Sequence, residues 1–270
     1  MGIVAFSLGS LNIYWYGLVW ALAICLGLLL TAIHIRCHKS AFEPVLDMVL
    51  IGLPLGLIFS RIAYVVLHWS FYQEDWYDIA RIWQGGFSIY GALLGFILAV
   101  FLYAKYCGLD AWEWLDLMVP AIVLGIIISQ VGNFVAQTVV GMPMPNDLPN
   151  DHTLAEYIEY RYRPPGFENY EYFKPVSLYQ AGLQAVVFLW TFFMSYFKSK
   201  RDIPNGISFL SSMLGLAVIR FACGFWYLSA NKVSLLHFDQ IICLIAAALL
   251  LVLIVFRFRG HSRRNYQFYV

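Results

Sequence analysis

Charge is scarce in this 270-residue sequence: 12% of the residues are Asp, Glu, Lys or Arg, against 61% hydrophobic. A soluble domain has no use for that much apolar surface, so a polytopic membrane protein is predicted, and 18% aromatic content suits rings at membrane interfaces. The net charge of +1 says nothing about partners, because the charges are sorted by loop, and no nucleic-acid partner is expected. Cysteine is also short. Cys25, Cys37, Cys107, Cys223 and Cys243 are odd in number, lie in apolar runs or beside basic turns, and have no metal-ligand spacing. They read as packing residues, and no metal or cofactor is expected. Internal repeats are missing too, and with them the inverted halves and broken-helix pairs of a transporter. The first apolar run, about 14–35, lacks a basic leader and a small-residue cleavage site, so it reads as a retained span and not a signal peptide.

What is present is a series of seven runs long enough to cross a bilayer, near 14–35, 45–67, 87–104, 115–135, 177–197, 207–228 and 238–256. Basic residues follow alternate spans: Arg36 and Lys39, Lys105, Lys198 with Lys200 and Arg201, then Arg257, Arg259, Arg263 and Arg264. The other loops hold Glu74, Asp75, Asp78, Asp147, Asp151, Glu156, Glu159, Glu168 and Glu171. The positive-inside rule therefore predicts an outside N-terminus and a cytoplasmic C-terminus. The expected architecture is all-α: one polytopic domain over 1–270, with a Pro- and Tyr-rich outside loop at about 138–176 and a basic tail at 257–270. A connection of that length is usually a lid, a binding element or a disordered segment.

Depth then follows from residue number, at about 1.5 Å per helical residue. Arg61 falls in the outer third of span two, and Arg220 about 12 Å below the outer end of span six. Gln130, Asn133 and Gln137 are spaced to share one face of a helix. Tyr90 sits in the first turn after Gly85-Gly86, Tyr16 begins span one, and Gln240 begins span seven. A lone Gln or Tyr at such a depth is ordinary packing glue. An arginine in hydrocarbon costs several kcal/mol unless it meets a partner or water. Asp239 is the one carboxylate near that depth, so two arginines without matching acids imply an anion from outside. The abundant anion of a membrane is a phospholipid phosphate. A headgroup cavity opening to the outer leaflet is therefore expected, and none of the six histidines falls at its depth.

Several short motifs in order add a family resemblance across nearly the whole chain. They are 14-YWYGL-18, 60-SRIAYVV-66, 81-RIWQGGFSIYGALLG-95, 115-LDLMVPAIVLG-125, 132-GNF-134, Gly141, 174-KPVSLYQ-180 and Arg220-Phe221. Together they resemble the prolipoprotein diacylglyceryl transferases of bacterial cytoplasmic membranes. The resemblance implies transfer of diacylglyceryl from phosphatidylglycerol to the thiol of a lipobox cysteine. It also implies two partners, phosphatidylglycerol or another anionic phospholipid and a prolipoprotein signal peptide. By the same resemblance Tyr90, Arg220 and Tyr16 are the catalytic candidates. Arg61, Gly86, Gln130, Asn133, Gln137, Gly141 and Gln240 are the candidates for substrate binding.

Departures from the family pattern are concentrated in its charges. The resemblance implies an arginine at Gln130, glutamates at Thr138, Gln180 and Gly224, and a basic residue at Tyr227. Three readings stay open at this point: a diverged active transferase, a silent relative that binds lipid, a lipobox segment or a membrane-protein partner, and an unrelated transporter or channel. The missing charges favour the second, the motif series the first.

Overall fold

The computed structural model describes residues 4–8, 11–37, 41–73, 75–81, 85–137, 139–145, 154–200, 203–228, 232–233 and 236–267. Seven of its helices are long and apolar enough to span a membrane. They are α1 (Trp15–Cys37), α2 (Glu43–Leu67), α4 (Ile89–Cys107), α5 (Ala111–Val135), α6 (Val176–Lys200), α7 (Ile207–Cys223) and α8 (Phe238–Gln267). A single helical turn, α3 (Trp69–Tyr72), follows α2. Strands are confined to two-stranded antiparallel pairs: β1 (Val4–Leu8) with β2 (Leu11–Tyr14), β3 (Glu156–Tyr157) with β4 (Tyr172–Phe173), and β5 (Lys232–Val233) with β6 (Leu236–His237). The all-α, seven-span expectation holds, because in lipid a helix is the open-ended element that satisfies its own backbone.

Local chemistry sets the helix ends. Pro44 opens α2, where its missing N–H costs nothing. Gly108, at φ +69°, closes α4 and donates to the carbonyl of Ala104. The fourth span begins at Ala111, ahead of the apolar run predicted from 115, because Asp110 caps it: its carboxylate accepts from the Trp112 N–H at 3.0 Å. Hydropathy does not register that polar first turn.

The chain divides into two compact units, with the divisions falling inside α1 and α5. Residues 32–117 form one unit. Here α2 and α4 run antiparallel in close contact through small residues. A Cβ on Gly95 would lie 2.7 Å from the Leu55 carbonyl oxygen and 2.9 Å from the Gly56 Cα, and one on Gly91 would strike the Phe59 carbonyl. Such small-residue seams let helix backbones pack directly where no hydrophobic force between helices operates.

Residues 1–31 and 118–270 form the other unit. Gly215 of α7 faces Val187 of α6, and the Trp190 indole donates to the Ser211 hydroxyl at 3.0 Å. Near the far end of α8, Arg257 donates twice to the Asn205 carbonyl, at 3.0 and 2.6 Å. The connection between α5 and α6 has its own order. Gly141 forms an antiparallel bridge to Tyr227, Pro143 bridges Phe173 of β4, and the β3–β4 pair carries the Tyr157 and Tyr172 rings in edge contact at 6.0 Å.

Candidate functional site

In the unit of residues 32–117, Arg61 is 7% exposed on α2. Its guanidinium is committed to main-chain carbonyls from two stretches of the following connection. Nε donates to Ile79 at 3.1 Å and Nη2 to Asp78 at 2.6 Å. Nη1 donates to Gly85 at 2.5 Å and Gly86 at 3.1 Å. The Tyr72 ring lies against the guanidinium at 5.3 Å from its centroid. Gly85 and Gly86 have φ of +86° and +80°, a region that strongly favours glycine. A Cβ on Gly86 would sit 2.7 Å from both Arg61 Nη1 and the Tyr64 ring. One step on, the Ser88 N–H donates to the Ser60 carbonyl at 3.2 Å, and α4 begins with half-buried Tyr90 in its first turn.

In the other unit, Arg220 of α7 is the centre of a polar cluster. Nη1 donates to Gln180 Oε1 at 3.4 Å and to the Tyr227 hydroxyl at 3.2 Å. Tyr227 itself donates to Gln180 Oε1, and its ring centroid lies 4.9 Å from the Arg220 guanidinium carbon. Nη2 pairs with Asp239 at 3.1 Å. Gln180 is 1% exposed, whereas the Arg220 and Asp239 side chains are 26% and 51% exposed. One edge of the guanidinium is thus held by sheltered neutral groups, and the other meets a carboxylate open to its surroundings.

Two neighbouring candidates, Gln240 and Gly141, support this cluster. Gln240, buried, donates to the Phe221 carbonyl at 3.2 Å and lies where a Cβ on Gly224 would be, 2.7 Å from Gln240 Cγ. The glycine at 224 makes room for that glutamine. Gly141 reaches the cluster through its bridge to Tyr227, reinforced when the Met142 N–H donates to Trp226 at 2.9 Å. Its packing against the Lys174 carbonyl leaves no space for a side chain. Buried Gln130 accepts from Asn133 Nδ2 at 3.3 Å, an i,i+3 pair on α5.

Two expectations are corrected. Gln137 does not share the helical face of Gln130 and Asn133, because α5 ends at Val135 and Gln137 takes φ +49°. It instead ties the loop down, donating to the Tyr157 carbonyl at 2.9 Å and accepting from the Glu159 N–H at 3.4 Å. Nor do the arginines lack protein partners: Arg61 has its four carbonyls, and Arg220 has Asp239 from the first turn of α8. Tyr16 lies in the first turn of α1, its side chain outside the described residues, as is Thr138 altogether. Sequence reasoning missed Gln180 and Tyr227 as site members. The signal was available in their replacement of charged family positions, both by groups able to hydrogen-bond Arg220. Among the described residues no group of His, Cys, Asp and Glu could hold a metal ion.

The profile of the family described as prolipoprotein diacylglyceryl transferase matches residues 3–256. Similar proteins carry the name phosphatidylglycerol–prolipoprotein diacylglyceryl transferase. One from Bacillus velezensis is 28% identical over 97% of this chain and 95% of its own length. One from Listeria welshimeri is 28% identical over 94% and 89%, and one from Streptococcus equi subsp. zooepidemicus 27% over 98% of each. The match runs through both units and through the helices that carry Arg61, Tyr90, Gln130 and Arg220, and this multi-pass membrane protein belongs to the prolipoprotein diacylglyceryl transferase family.

Proposed function

We propose that this chain transfers the diacylglyceryl group of phosphatidylglycerol to the cysteine thiol of a prolipoprotein lipobox, at the outer face of a bacterial cytoplasmic membrane. The N-terminus is then outside and the C-terminus in the cytoplasm, a reading supported by the basic residues that follow alternate spans. The thiolate sulfur bonds to the terminal glyceryl carbon, the bond from that carbon to the phosphate oxygen breaks, and glycerol phosphate leaves with the electron pair. The thiol ionises by giving its proton to water, and the few per cent of thiolate present at neutral pH is already a strong nucleophile. What the reaction demands of the protein is fixed positive charge at the departing phosphate.

The Arg220 cluster carries this reading. Its sheltered edge is fixed by Gln180 and Tyr227, while its open edge holds a carboxylate that a lipid phosphate can replace. Because Asp239 is half exposed, releasing it to solvent leaves no buried charge unpaired. Asp239 thus serves as the resting counterion. On family resemblance, Tyr90 and Tyr16 join Arg220 as catalytic candidates, and Gln130, Asn133 and Gly141 belong to the substrate-binding set.

The test is transfer of radiolabelled diacylglyceryl from phosphatidylglycerol to a lipobox peptide by the purified protein. Cysteine-dependent transfer is expected, with a serine-substituted peptide inert. Lipid binding without transfer would identify a silent relative, in which the neutral residues at Gln130 and Gly224 have removed too much of the charge.

A further inference from the structure

We infer that Arg61 is a positioning residue: it receives no lipid, and acts by locking the Gly85–Gly86 turn and, through it, Tyr90. The inference rests on the transfer reaction proposed above for its kinetic consequence, and on geometry alone for the lock. Four hydrogen bonds hold a side chain that is 7% exposed. They join two stretches of main chain, 78–79 and 85–86. A guanidinium suits this task, because its planar fork reaches several acceptors at once from a fixed position. An anion entering here would have to break those bonds and leave half-buried carbonyls without their donor.

The lock continues into α4. The two positive-φ glycines turn the chain back onto α2, and the Ser88–Ser60 main-chain bond secures the next step. Gly91 then seats α4 directly against the backbone of α2. Tyr90 stands between these anchors. Its backbone is therefore fixed on both sides, at 85–88 and at 91, and Arg61 secures the N-terminal anchor. A displacement of about 1 Å in a reacting group can cost about 10²-fold in rate.

Arg61→Lys keeps the charge and loses the fork, while Gly86→Ala drives a methyl into the same Nη1 from the other end. Each variant is expected to lower kcat for transfer about 10- to 100-fold, with KM for phosphatidylglycerol within about two-fold of wild type. The loss in the double variant should fall short of the sum of the two single ones, because both disturb the contact between Arg61 Nη1 and residue 86. Hydrogen exchange over residues 85–91 should rise in both single variants, a readout independent of turnover. Exchange unchanged in Arg61→Lys would overturn the lock. A rise in KM with kcat preserved would overturn it also, by making Arg61 a headgroup ligand. Should Arg61→Lys fail to fold, Gly86→Ala decides by the same two measurements. Faster exchange with an unchanged kcat, or full activity in Tyr90→Phe, would refute the link to Tyr90, whereas absence of transfer by the wild type with faster exchange in both variants would locate the failure in the transfer reading and not in the lock.

Discussion

Arg61 and Arg220 are alike in the sequence, each an arginine inside an apolar run with no acid nearby in the chain. In the structure they differ in every respect that matters chemically. Arg61 is buried and bonded to four main-chain carbonyls, none of which can leave. Arg220 is partly exposed and divided between neutral partners and one carboxylate that can swing away. An arginine met by backbone fixes shape; one met by an exposed carboxylate can exchange anions. The cost of an arginine in hydrocarbon is met in both cases, so depth alone cannot tell them apart.

The contrast is broken most severely at Arg220. Arg220→Gln removes the fixed charge and should lower transfer about 10²–10³-fold, the usual cost of losing one stabilising donor. Folded yield should be kept, since Gln180 and Tyr227 still bond each other and Asp239 can turn to solvent. Transfer assays beside gel-filtration profiles check both halves. Loss of folding would put Arg220 in the same structural class as Arg61.

A gentler comparison uses a third ionisable group, buried and without a hydrogen-bond partner among the described residues. Glu156 of β3 is 4% exposed, neither carboxylate oxygen has a hydrogen-bond partner among the described residues, and burial pushes its carboxyl up to about 7. A raised carboxyl pKa favours the protonated folded state. Its stabilisation is complete below the ordinary value of about 4.3 and is lost as pH rises through about 7. Glu156→Gln should therefore raise the melting temperature by about 2–4 °C at pH 8 and change it little at pH 4. Equal effects at both pH values would show that the carboxyl is not the titrating group.

Seven spans were legible because length and hydropathy decide them, and family membership because its motifs recur in order. The α5 boundaries were not. Asp110 starts the helix through a cap that apolar counting passes over, and Gln137 keeps helical spacing past the point where the helix stops. The partners of Arg61 were invisible for a different reason: they are carbonyl oxygens, which every residue carries, presented by a turn some twenty residues away. Asp239 was legible as the single acid near Arg220, though not as its actual partner. Gln180 and Tyr227 were visible as lost charges, and the structure adds that they bond to each other and to Arg220.

The exchange of Asp239 for a lipid phosphate on Arg220 is open to one direct measurement. Native mass spectrometry can count phosphatidylglycerol retained by wild type, Asp239→Asn and Arg220→Gln purified in the same detergent. With the competing carboxylate gone, Asp239→Asn should retain more lipid than wild type, about three- to ten-fold by a gain of roughly 0.7–1.4 kcal/mol, and Arg220→Gln should retain less. Lipid retention that falls in Asp239→Asn, or is equal in all three proteins, would contradict the account.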